Sequence, residues 1–279
     1  MAARYAEVAF GQEQDHVCPA QKLSIPLACR LFMLNPLLHP ICLAQPERLS
    51  LHAAWREHIP FGMLLIDLLR PRTLVELGTF LGNSYCAFCQ ATQTLQTGTR
   101  CYAVDNWTGD DQAGFYGPEV LEELRTYHDP RYAAFSTLIQ SEFGEAALRF
   151  SDSSIDLLHI DGHHSYESVR ENFEQWGGKV SPGGVILFHD THEFQEGFGV
   201  HRFWAELKTK HAAHFEFHHG HGLGVLGVGE VVSPELRALF QCSTAEAEVV
   251  REFFRQTGGR FTREAQLQIA EQKLREATG

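Results

Sequence analysis

Six side chains that can bind a metal or move a proton fall in two short groups: Asp161, His163 and His164, then His189, Asp190 and His192. Carboxylates favour hard cations such as Mg²⁺, and imidazoles in the same shell shift the preference towards Mn²⁺, Fe²⁺ or Zn²⁺. A histidine that is neutral near pH 7 can instead take a proton as a general base. Either chemistry needs the two groups in one place, so the chain between them must fold back on itself.

The segment from Ile155 to Thr191 has the pattern to do so. Ile155 to Ile160 and Val185 to Phe188 are short apolar runs, separated by a helix-length stretch and the turn Pro182-Gly183-Gly184. Two buried strands joined by one crossover helix lie parallel and adjacent. Their carboxyl ends then share one rim, which is where open parallel sheets bind ligands. Plainer roles exist for some of these residues. Asp161 could cap the helix beginning near Ser165, and His159 in mid-strand reads as a core histidine. His163 reads as a structural neighbour, and Tyr166 and Trp176 as packing residues of the crossover helix.

Upstream, Thr73 to Leu77 is a strand followed by Gly78-Thr79-Phe80-Leu81-Gly82 and a helix starting near Asn83-Ser84. Glycines at such a turn let backbone approach a ligand and free the N–H groups of the next helix. A second strand, Arg100 to Val104, ends in Asp105, where nucleotide-binding α/β folds place an acid for ribose hydroxyls. A loop with three glycines and Trp107, Phe115 and Tyr116 follows, of a length that is usually functional. A helix is predicted from Pro118 to about Tyr127, and a third strand over Phe135 to Ile139. The turn Gln140-Ser141-Glu142 and a helix over Gly144 to Phe150 come next.

The remaining elements frame this core. Leu51 to Leu69 has helical apolar spacing stopped by Pro71. Val200 to Lys210 is amphipathic, and the stretch after Ala213 reads as a hairpin around a His/Gly turn, with His211, His214, His218, His219 and His221 expected at the surface. Beyond Pro234 the chain is helical and charged, with a break predicted at Thr257-Gly258-Gly259. The sum is an α/β fold, a doubly wound, mostly parallel sheet closed by an antiparallel hairpin. Three parts are expected: a proline-interrupted extension over residues 1–50 serving as cap or oligomer contact, a catalytic domain over 51–230, and a helical tail over 231–279.

Composition narrows the partners. A net charge of −12 and no Lys/Arg-rich run set nucleic acid aside. Seven scattered cysteines suit a reducing cytoplasm, and Cys86-x-x-Cys89 lacks the further ligands a structural zinc needs. The first residues hold no apolar signal core, and the uncharged run Leu31 to Ala44, broken by Pro36 and Pro40, is too short to span a bilayer. A cytoplasmic protein without membrane or nucleic-acid partners is expected.

The stretch Glu76 to Ser84 resembles the first motif of class I S-adenosylmethionine (SAM)-dependent methyltransferases, with Asp105 similar to their ribose-binding acid. The run His159 to Tyr166, with Pro182-Gly183-Gly184 and His189-Asp190, resembles the group called family 24, which includes macrocin-type sugar O-methyltransferases and domains fused to glycosyltransferases. The similarity spans roughly Leu51 to Val228.

It implies a Rossmann-like class I methyltransferase fold and a homo-oligomer. SAM would be bound by Glu76, Gly78, Thr79, Gly82, Ser84, Asp105, Asn106, Gln140, Ser141 and Asp161. A divalent metal, Mg²⁺ first and Mn²⁺ or another next, would be held by Asp161, His189 and Asp190. His164 would be the general base, and a sugar or glycosylated small molecule would offer the hydroxyl. Some relatives carry an acid where this chain has His189. A metal-independent methyltransferase using His164, or a non-catalytic SAM- or metal-binding module, are the alternatives. A nicotinamide oxidoreductase would need the G-x-G-x-x-G triplet, which is absent here.

Overall fold

The computed structural model describes residues 34–50, 55–231 and 233–278. Most of the expected extension, with Cys18, Pro26 and Cys29, and the first residues of the helix expected from Leu51 lie outside the described residues.

Five segments form parallel strands, the inner ones with both faces covered. They are β1 (Thr73–Leu77), β2 (Arg100–Asp105), β5 (Ser136–Gln140), β6 (Ile155–Ile160) and β7 (Val180–His189), all parallel. With β8 (His214–Phe217) and β9 (Leu223–Gly227), which run antiparallel, they make a seven-stranded sheet in the order β5-β2-β1-β6-β7-β9-β8. Successive side chains of a strand point to opposite faces. Leu74, Leu157, Val185 and Leu187 therefore join one core with α1 (Ile59–Leu69) and α2 (Asn83–Leu95). Val75, Leu158, Ile186 and Phe188 join the other with α5 (Tyr166–Trp176) and α6 (Val200–Lys210). The doubly wound fold with its closing hairpin is the one expected.

Local differences have local causes. A 3₁₀ turn, Arg56–His58, precedes α1, and Pro60 occupies the first turn of α1, where its missing N–H costs nothing. Pro182-Gly183-Gly184 is no free turn but part of β7, whose register against β6 shifts between Ile155 and Leu157. Gly183 donates its N–H to Val228 O at 2.6 Å, which ties the bulged strand to the chain beyond β9. The loop after β2 contains a minimal antiparallel pair, β3 (Gly109–Asp110) and β4 (Gly114–Phe115), turned by Asp110 Oδ1 accepting from the N–H groups of Gln112 and Ala113. α3 (Glu119–Tyr132) runs past the expected end at Tyr127, and α4 (Phe143–Ala147) is shorter than predicted.

The tail departs most. After α7 (Pro234–Phe240), capped by Ser233, α8 (Thr244–Thr278) continues through Thr257-Gly258-Gly259 without a break. A Cβ on Gly258 would lie 2.0 Å from Glu57 O, so this glycine serves a close approach to the 3₁₀ turn. Phe254 and Phe261 of α8 are buried in the core, and Arg260 donates to Leu43 O and Ala44 O. Among the described residues no helix is long and apolar enough to cross a membrane.

Candidate active site

The chain winds from β1 through β2 to β5 on one side, then returns to place β6 and β7 on the other, so the topological switch lies between β1 and β6. Register pairs Leu77 with Ile160 and Ile160 with Phe188, which sets Gly78, Asp161 and His189 side by side at the rim. Asp161 N–H donates to Leu77 O at 2.9 Å, and Gly78 N–H to Val104 O at 2.9 Å. Gly78 has φ +84°, and a Cβ there would sit 2.0 Å from Asp161 O, so only glycine fits where the two strand ends meet. A cavity of about 490 Å³ opens over this rim.

One half of the cavity is lined by Gly78, Thr79, Gly82, Ser84, Asp105, Asn106 and Ser141. Asp105 is 6% exposed, and its two carboxylate oxygens accept from Phe80 N–H (2.8 Å) and Trp107 N–H (2.7 Å). Burial raises its pKa, opposed by these backbone donors. Glu76 and Gln140 do not line the cavity among the described residues. Glu76 lies beneath it, its Oε2 2.8 Å from His159 Nδ1, while Trp55 Nε1 donates to His159 Nε2 at 3.1 Å. His159 therefore carries its proton on Nδ1, and it is a core histidine as expected. Gln140 Nε2 donates to Asn106 O at 3.2 Å and braces the loop instead.

The other half holds the ionisable group. Asp161, His164 and Asp190 present ligand atoms all within 4.8 Å of one another. His164 Nε2 lies 2.9 Å from Asp190 Oδ2 and 3.8 Å from Asp161 Oδ1. Both the backbone N–H and the Nδ1–H of His164 point to Gln112 Oε1, at 2.8 and 3.0 Å, while Gln112 Nε2 donates to Gly197 O at 3.0 Å. Phe198 stacks on the His164 ring at 5.0 Å, and Gly199 N–H donates to His164 O at 2.7 Å. Nε2 is left facing the carboxylates and the cavity. Burial alone would lower the His164 pKa, but Asp161 and Asp190 outweigh it and push it up to about 9. Burial works against both carboxyls as well, yet His189 and His164 hold Asp161 and Asp190 below the usual range.

His189 stands at the rim beside both carboxylates. Its Nε2 donates to Gly220 O at 3.1 Å, and its Nδ1 faces Asp161 Oδ1 at 3.1 Å and Asp190 Oδ2 at 3.3 Å. It thus orients both carboxylates, and His164 takes the third converging position. His163 turns to Asp111 at 3.0 Å, and His192 is exposed. Two oxygen donors and one imidazole fit a hard divalent cation, and His189 supplies the outer hydrogen bonds that such carboxylates need.

Several lining residues were not among the predicted site residues: Trp55, Gln112, Glu193, Phe198 and His221, the last expected at the surface. Trp55, Gln112 and His221 reach the cavity from segments remote from both motifs, while Glu193 and Phe198 follow His189-Asp190 in the chain. Of the three loop aromatics, Tyr116 lines the cavity, Phe115 is 80% exposed, and Trp107 is buried with Nε1 donating to Phe80 O.

Residues 75–191 match the family model Methyltransf_24, described as a methyltransferase domain. The chain is 42% identical over 244 residues to the uncharacterised protein y4gI of Sinorhizobium fredii (strain NBRC 101917 / NGR234), covering 84% of this chain and 26% of that protein. It is 27% identical over 127 residues to the uncharacterised protein R132 of Acanthamoeba polyphaga mimivirus, covering 44% of this chain and 53% of that one. The chain thus spans about a quarter and about half of these two relatives. Among solved structures, cofactor-bound Rv0187 from MTB superposes with a TM-score of 0.50 at 16% identity, over 70% of this chain and 91% of that one. The sheet order is that of the class I methyltransferase fold, and the match to a methyltransferase domain falls on residues 75–191 of it.

Proposed function

We propose that this chain transfers the methyl group of SAM to a hydroxyl of a sugar or glycosylated small molecule, assisted by a divalent cation. The observation that carries the reading is a single cavity in which the Gly78/Gly82 turn and Asp105 face the Asp161, His164 and Asp190 trio. The glycine turn and Asp105 suit the methionine part and ribose of SAM, and Asn106 and Ser141 would flank the adenine. Polar side chains around the other end, Asp110, Gln112, Glu193 and Gln195, suit an acceptor rich in hydroxyls.

Methyl transfer is an in-line displacement: the acceptor oxygen bonds to the methyl carbon as the carbon–sulfur bond breaks, and sulfur keeps the electron pair. The hydroxyl proton goes to His164 Nε2 once that nitrogen has released to solvent the proton that Asp161 and Asp190 hold on it. Gln112 fixes the tautomer by occupying Nδ1–H, and Phe198 fixes the ring plane. A cation held by Asp161 and Asp190 would lower the pKa of an acceptor hydroxyl and offset the carboxylate charge that keeps His164 protonated. His164 as third ligand is a second reading, favoured by its Nε2 lying 2.9 Å from Asp190.

Calorimetric titration of metal-stripped protein with S-adenosylhomocysteine, repeated with Mg²⁺ or Mn²⁺, tests the proposal. Cofactor binding, plus cation binding that Asp161→Ala/Asp190→Ala loses, is expected. No cofactor binding would sink the enzyme reading, and full methyl transfer in EDTA would leave a metal-independent one. Retained cation binding in His164→Ala with lost turnover selects the base over the ligand.

A further inference from the structure

A second set of potential metal ligands lies outside this trio and shares no side chain with it. His192, on the segment after β7, meets Glu216 and His218 at the end of β8, with ligand atoms all within 4.8 Å of one another. We propose that His192, Glu216 and His218 bind a divalent transition ion of the Zn²⁺ type.

The backbone under these three residues is fixed. His192 N–H donates to His221 O at 2.8 Å, and a Cβ on Gly222 would lie 2.4 Å from His192 N, so the two segments are packed backbone to backbone. Glu216 is paired with Gly224 in the β8–β9 ladder, and Arg251 Nε donates to its carbonyl at 2.7 Å. Glu216 lies in β8 and His218 is the first residue beyond its end, which puts the two close along the chain. The His192 and His218 rings stack at 4.8 Å with 20° between their planes. Both are exposed, and among the described residues neither imidazole makes a hydrogen bond.

The chemistry of the set differs from that of the central trio. Two imidazoles and one carboxylate favour Zn²⁺, Co²⁺ or Ni²⁺ over Mg²⁺, whereas two carboxylates and one imidazole suit the harder ions. Lys208 Nζ lies 2.7 Å from Glu216 Oε2, so an ion here would share this carboxylate with Lys208. With His192 and His218 exposed, water can complete the shell around three protein ligands. An ion here would tie the chain after Asp190 to β8. That chain carries Phe198 and Gly199, which contact His164, so occupancy would fix one wall of the cavity.

The test uses the full, untagged chain, stripped with EDTA and titrated with Zn²⁺ against a chromogenic chelator in excess Mg²⁺. Wild type is expected to take up one more Zn²⁺ per chain than His192→Ala/His218→Ala, and His218→Ala alone to weaken that ion about tenfold or more. Asp161→Asn/Asp190→Asn is expected to keep it. Equal uptake by wild type and the double histidine variant overturns the proposal, as does loss of all Zn²⁺ binding in the aspartate variant with none lost in the histidine variant. Both histidines are exposed, so the variants are expected to fold, which circular dichroism verifies. Should the aspartate variant not fold, the comparison of wild type with the histidine variant decides alone.

Discussion

At the scale of single residues, the site depends on side chains that hold other side chains. Gln112 accepts two N–H groups of His164 and donates to Gly197, so it joins the β3–β4 hairpin, the end of β6 and the segment after β7. Gln112→Ala is expected to lower kcat about 10- to 100-fold, as losses of outer partners do. KM for SAM should stay nearly unchanged, because the cofactor half of the cavity is untouched. Gln112→Glu keeps the acceptor and should recover part of the rate, which steady-state kinetics on the three proteins would measure. A purely structural role would move stability and not separate kcat from KM. Asp161, His164 and Asp190 were legible in the sequence because strand-end acids and histidines stand out beside apolar runs. Gln112 was not, since its role exists only where a loop folds back onto the rim. His189 shows the limit from the other side: its place at the rim beside Asp161 and Asp190 was readable, but the 3.1 Å contact of its Nε2 to Gly220 O, which fixes the ring, is encoded by no spacing.

At the scale of elements, glycine has opposite meanings that only tertiary contact resolves. Alanine in place of a helical glycine gains about 1 kcal/mol of propensity. Gly259→Ala in α8 should stabilise by roughly that amount, because its Cβ would meet only the flexible end of Arg263 at 3.3 Å. Gly258→Ala has the same propensity gain but would push a methyl to 2.0 Å from Glu57 O, a backbone atom that cannot swing away. An overpacking cost of about 1–3 kcal/mol then outweighs the gain, and net destabilisation is expected. Urea midpoints for the two variants should move in opposite directions. Gly78→Ala combines φ +84° with a 2.0 Å approach to Asp161 O, and should cost about 2–4 kcal/mol. The same contacts explain what the sequence withheld. The inner strands β1, β6 and β7 were readable because burial on both faces makes them largely apolar runs. Thr257-Gly258-Gly259 read as a break and Pro182-Gly183-Gly184 as a turn, since the local rule for glycine cannot know of Glu57 or Val228 across the fold.

At the scale of the whole molecule, the two ends of the sheet do different work. The carboxyl ends form the cavity, while the opposite end is held by Asp156 at the start of β6. Its carboxylate accepts from the N–H groups of Arg72 (2.8 Å) and Thr73 (3.2 Å), from the Arg72 guanidinium and from Ser181 Oγ (2.7 Å), which links β1, β6 and β7. Burial pushes the Asp156 pKa up, but these donors together hold it below the ordinary value. A carboxyl depressed in the folded state contributes stability that is full above its unfolded value, about 3.9, and is lost as pH falls through the folded one. His128, in α3 against Ser136, has the other origin of acid sensitivity. Its burial lowers its pKa against the pull of Asp129, so below about pH 6.5 the unfolded chain takes up the proton first and stability declines. Two successive losses should therefore appear as pH falls, one beginning near 6.5 and one below about 4. Asp156→Asn should lower stability at pH 7 by about 1–3 kcal/mol, the cost of leaving buried donors poorly paired. The gap between wild type and variant should hold constant down to about pH 4 and close below it, while the loss that begins near 6.5 persists in both. Urea titrations from neutral pH to pH 3 measure this directly. Binding of S-adenosylhomocysteine by Asp156→Asn should match wild type wherever the variant is folded, because Asp156 lies at the end of β6 opposite the cavity and does not line it. Equal losses of binding and stability in Asp156→Asn would mean instead that the two ends of the sheet are mechanically coupled.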